Sequence, residues 1–90
     1  MNLIYKHGSS PQKYDGNTDK TFTIGELKDI VEGPCDIMFL PIQDAYIIYN
    51  SNKTSSQQGF YNHHATEVLR ENYTDTKVRI HGIALLTDNI

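Results

Sequence analysis

The sequence predicts an α+β domain: a small, largely antiparallel sheet with two helices packed on it, in the order β-α-β-β-α-β. Three observations carry this. Two segments repeat apolar residues at helical spacing. Between them lies an apolar run broken once by polar residues, the pattern of a β-hairpin. A final apolar run, residues 77–87, alternates as a strand does. At 90 residues the chain is read as a single domain over 1–90.

The first element is NLIYK, residues 2–6, rich in strand formers. HGSSPQKYDGNTDK follows, crowded with Gly, Ser, Pro, Asn and Asp, and reads as a loop with room for one brief strand around Lys13 and Tyr14. TFTIGELKDIVEG gives the clearest local signal. Thr23 and Glu26 form a capping box, and Phe22 and Leu27 stand at the positions of a hydrophobic staple. Ile24, Leu27, Ile30 and Val31 share a helical face, and Gly33 with Pro34 ends the helix, predicted over 24–32.

CDIMFLPIQDAYIIYNSN reads as strands 35–41 and 45–50 joined through Gln43 and Asp44. Both strands are apolar on both faces, so one face is expected to meet a helix and the other a partner. NSNKTSSQQG is an exposed polar loop. Asn62 then serves as N-cap of a second helix over 63–72, with Ala65, Val68, Leu69 and Tyr73 on its apolar face. In the last strand Val78, Ile80, Gly82, Ala84 and Leu86 face one way and Arg79, His81, Ile83 and Leu85 the other. Gly82 marks a bulge or a close backbone approach.

Composition excludes several functions. A net charge of −3, with scattered acidic residues, argues against a nucleic-acid polymer as partner and lacks the acidic runs of a DNA mimic. The single cysteine, Cys35, excludes an internal disulfide and reads as a small core residue. No stretch has signal-peptide or membrane-spanning character, so no membrane partner and a cytoplasmic location are expected. A chain this short buries a modest core, which favours a homo-oligomer.

The candidate ligand site is the loop and helix start at 51–66. Lys53, Thr54 and Ser55 are donors, Tyr61 is a stacking surface, and Asn62, His63, His64 and Thr66 flank a helix N-terminus suited to an anion. The plain alternative is a helix start with solvent-facing imidazoles, one paired with Glu67. His63 and His64 point about 100° apart on a helix, so they do not chelate one ion together. With no third ligand in the local sequence, no metal and no cofactor are assigned. No nucleophile motif and no convincing carboxylate pair appear, so the protein is read as a non-enzyme. Tyr46, Tyr49, Arg70 and Arg79 are the candidate interface residues.

Taken together, the capped helix, the paired-strand segment, the N-x-x-A-T helix start (Asn62, Ala65, Thr66) and the terminal I-x-G-x-A-L-L (Ile80, Gly82, Ala84, Leu85, Leu86) resemble a family of small uncharacterised proteins of phages, plasmids and conjugative elements. The resemblance covers nearly the whole chain. It departs before the second helix, where SSQQGFYN stands in place of a glycine-leucine-proline stretch. The resemblance implies a mobile-element accessory protein that counters host defence, and it transfers no catalytic residue. The leading expectation is a non-enzymatic protein that sequesters a small nucleotide-derived signal at the 51–66 site; the alternatives are a protein–protein inhibitor of a host defence enzyme and a small hydrolase using His63 or His64 with Glu67.

Overall fold

The structure, a computed structural model, describes residues 2–6, 10–14, 21–52 and 61–88. The elements are β1 (Asn2–Tyr5), β2 (Gln12–Lys13), α1 (Ile24–Val31), β3 (Cys35–Leu40), β4 (Ala45–Asn50), α2 (His63–Asn72) and β5 (Ala84–Thr87). The α+β class and both helices match expectation. The order differs by β2, a two-residue strand paired with β1 between the first strand and α1. The strands form one antiparallel sheet in the order β2-β1-β5-β4-β3.

The helices lie on opposite faces. Leu27 and Val31 of α1 pack with Phe22, Ile48 and Leu85 on one face. Ala65 and Leu69 of α2 pack with Tyr5, Ile47, Tyr49, Ala84 and Leu86 on the other. The period-2 alternation of a strand makes this division: Ile48 and Leu85 are register partners on the α1 face, Ile47 and Leu86 on the α2 face. β4 is therefore apolar on both faces because each meets a helix. The expectation that one of its faces awaits a partner is corrected on this point.

Local chemistry sets the ends of α1. The Thr23 hydroxyl accepts from the Glu26 amide at 3.1 Å and the Glu26 carboxylate accepts from the Thr23 amide at 2.9 Å, the predicted box. Phe22 and Leu27 are buried in one cluster, completing the staple. The left-handed residue at the C-terminus is Glu32, φ 65°, one position before the expected Gly33. Gly33 is needed for another reason. A Cβ there would stand 2.6 Å from Asn50 Nδ2. That amide is buried and donates to the Val31 carbonyl at 3.0 Å, tying α1 to β4.

The terminal strand is shorter than expected. It begins at Ala84, and residues 77–83 are irregular apart from a bridge between Tyr61 and His81. The alternating side chains are present, but the backbone groups at Ile80 and Gly82 bond to the start of α2 instead of to a strand.

Gly33→Ala should force the Asn50 amide off the Val31 carbonyl and lower stability by about 1–2 kcal/mol, the scale of one lost buried hydrogen bond. Thermal melting should show a drop of roughly 4–8 °C per kcal/mol for a domain of this size.

Candidate functional site

The start of α2 is built around Asn62. Its side chain is fully buried and makes three bonds. Oδ1 accepts from the Ala65 amide at 3.2 Å as the N-cap. Nδ2 donates to the Tyr5 carbonyl of β1 at 2.9 Å and to the Gly82 carbonyl at 2.8 Å. Its backbone amide donates to the Ile80 carbonyl at 2.7 Å. Thr66, also fully buried, accepts from the Ile80 amide at 2.9 Å through Oγ1. Asn62 and Thr66, expected to donate to a ligand, thus have their polar atoms engaged inside the fold. The physical reason is burial: a polar side chain sealed under the sheet must satisfy its partners internally.

Tyr61, His63 and His64 stay exposed. Their rings form a chain. Tyr61 stands 6.2 Å from His63 and 5.4 Å from His81, and His63 stands 5.9 Å from His64. His81 is buried, and its Nδ1 lies 3.1 Å from the Arg79 carbonyl, which assigns the proton to Nδ1. His63 Nε2 lies 3.3 Å from Glu67 Oε1, the expected pair one helical turn apart. Both partners are more than half exposed, so the pair holds little energy. Lys53, Thr54 and Ser55 lie outside the described residues. Among the described residues no group of three His, Cys, Asp or Glu side chains is placed to hold a metal ion.

The interface candidates separate. Tyr49 is buried under α2, so it does not meet a partner at the surface. Burial raises its phenol pKa, and the nearby Asp36 carboxylate raises it further. Tyr46 is half-buried on the α1 face and meets Phe39 edge-to-face with ring centres 5.3 Å apart. Arg70 and Arg79 are exposed. Arg70 sits with Glu67 and Glu71 at a shallow surface hollow of about 320 Å³.

Sequence reasoning missed the edge of the sheet. β3 is terminal and pairs only with β4 among the described residues. Pro34 accepts from the Ser51 amide at 2.8 Å in the same register. Even-numbered residues of β3 therefore bond to β4, and Cys35, Ile37 and Phe39 turn their amides and carbonyls outward. The Tyr73 hydroxyl donates to the outward Phe39 carbonyl, which fits this parity. On the α1 face the edge exposes Ile37 and Phe39 at 37% and 41%. On the α2 face, beside Met38, a hollow of about 430 Å³ opens between the edge and Asn72, Tyr73, Thr74, Asp75 and Thr76. Asn72 fixes this corner. It accepts from the Ile42 amide at 2.8 Å and donates to Gln43 Oε1 at 2.9 Å. The available sequence signal was the apolar strand between two prolines, Pro34 and Pro41, with Asp36 as its single charge.

Asn62→Ala should destabilise by about 3 kcal/mol, combining a lost cap with two orphaned carbonyls. Asn62→Asp should cost at least as much, although Asp caps helices well, because its oxygens would face the Tyr5 and Gly82 carbonyls. Thr66→Val should cost about 1–2 kcal/mol by stranding the Ile80 amide. His63→Ala and Glu67→Ala should each stay within about 0.5 kcal/mol. Urea unfolding of the five variants checks this ordering.

No protein-family model matches the chain, and no curated protein and no solved structure matches it.

Proposed function

We propose that the protein is a non-enzymatic binding module that works through protein contact, with the outer edge of β3 as its working surface. The observation that supports this is the combination at that edge. Outward backbone groups at Cys35, Ile37 and Phe39 stand beside exposed apolar side chains on one face and a hollow on the other. Strand addition uses these parts: main-chain bonds for affinity and side-chain pockets for choice of partner. β3 carries no lysine and no bulge, two of the devices that keep exposed strands unpaired; its one charge is Asp36, and prolines flank it at 34 and 41. The resemblance to mobile-element accessory proteins makes a host defence protein the expected partner, in the host cytoplasm.

The second reading is sequestration of a nucleotide-derived signal at the start of α2. The observation favouring it is the exposed ring chain of Tyr61, His63 and His64, a surface on which a base can stack.

Affinity capture from host cells tests the two together. Ile37→Lys and Phe39→Lys should each lose a co-purifying protein by at least about tenfold, on the scale of one lost anchor residue. Tyr61→Ala and His64→Ala should keep it. A nucleotide extracted with the wild-type protein and lost in Tyr61→Ala would overturn the edge reading in favour of the second.

A further inference from the structure

The reading of β3 as a docking edge leaves open what docks there, and the charges around the edge narrow the choice. We infer that the edge takes an extended, basic segment of another protein, alternating apolar and Lys or Arg residues. This rests on the edge-docking reading.

The pleat of β3 defines two rows on an incoming antiparallel strand. Residues opposite Cys35, Ile37 and Phe39 lie on the α1 face. There they meet Ile37 and Phe39, continuous with the half-buried Tyr46, so this row is apolar. Residues opposite Asp36 and Met38 lie on the α2 face. Asp36 is exposed, and among the described residues the hollow beside Met38 has Asp75 as its one charged lining residue. Among the described residues no Lys or Arg lines it. A cationic side chain opposite Met38 gains both carboxylates, whereas an anionic one meets repulsion from the same groups.

The same geometry disfavours a second copy of this chain. Antiparallel self-pairing with Ile37 opposite Ile37 sets Asp36 of each copy opposite Met38 of the other, at the hollow that holds Asp75. Sliding two residues one way sets Asp36 opposite Asp36. Sliding two the other way sets Cys35 opposite Pro41, which has no N–H to give. Each register carries a like-charge contact or a lost bond. A basic alternating strand carries neither. The Tyr73 hydroxyl on the Phe39 carbonyl leaves that oxygen its second lone pair, so the contact limits the docked length without closing the edge.

The test is an NMR titration of the whole protein with two capped peptides, Val-Lys-Val-Lys-Val and Val-Glu-Val-Glu-Val, beside sedimentation of the protein alone. The lysine peptide should shift the Cys35, Ile37 and Phe39 amides, bind at least about tenfold more tightly than the glutamate peptide, and weaken with salt. Asp75→Lys, a surface change, should reverse the preference. Ile37→Pro, which removes one outward amide from an edge strand, should abolish binding of both. Equal binding of the two peptides would overturn the basic-segment inference and leave edge docking standing. If neither peptide binds and the protein sediments as a dimer that Ile37→Pro dissociates, the occupant is a second copy and the inference falls. If neither peptide binds and the protein is monomeric, both the inference and the edge reading fall.

Discussion

One buried amide organises this fold. Asn62 joins three parts of the chain that share no local sequence: β1 through the Tyr5 carbonyl, the approach to β5 through Gly82, and α2 through its own cap. In a buried setting such bonds cannot be exchanged for water, so the three parts hold one relative placement or lose heavily. Thr66, one turn along α2, fixes the same backbone a second time at Ile80. Together they stop residues 77–83 from continuing the sheet, and they put the ring chain of Tyr61, His63 and His64 at the surface.

What was legible in the sequence is what is local. The capping box of Thr23 and Glu26, the staple of Phe22 and Leu27, the hairpin and the cap of α2 all rest on partners within a few residues. What was not legible depends on partners far along the chain. Asn62 is recognisable as a cap, yet its two donors reach carbonyls 57 and 20 residues away. Alternation over 77–87 is a true side-chain pattern, but a strand also needs a free backbone, and side chains of α2 had already engaged that backbone. β2, at two residues, is too short for periodicity to show, and only the turn-rich composition around Lys13 and Tyr14 left room for it.

The candidate sites divide along the same line. Asn62, Thr66 and Tyr49 looked functional because they are polar or aromatic, and the fold uses them internally. Tyr46 stayed within reach of the surface through Phe39, its neighbour on β3. The contrast between β4 and β3 carries the functional argument. Both are apolar, but β4 lies one strand inside the sheet with a helix on each face. β3 is at the boundary, where the same composition leaves Ile37, Phe39 and a row of backbone groups facing outward.

The strand order has a further consequence for how the molecule is made. β1 and β5 are neighbours in the sheet, with Leu3 paired to Leu86, so early and late residues meet side by side. The β3–β4 hairpin and the capping box of α1 rest on nearby residues, whereas the start of α2 also needs Ile80 and Gly82. The seam between β1 and β5 must wait for residues 84–87 to clear the ribosome. Until then β1 and β4 each present an unpaired edge, and Asn62 lacks its Gly82 acceptor. Such late, long-range pairing slows folding and prolongs exposure of sticky edges. The chain is therefore most exposed to aggregation and proteolysis in the interval before residues 84–87 have emerged and paired with β1 and β4.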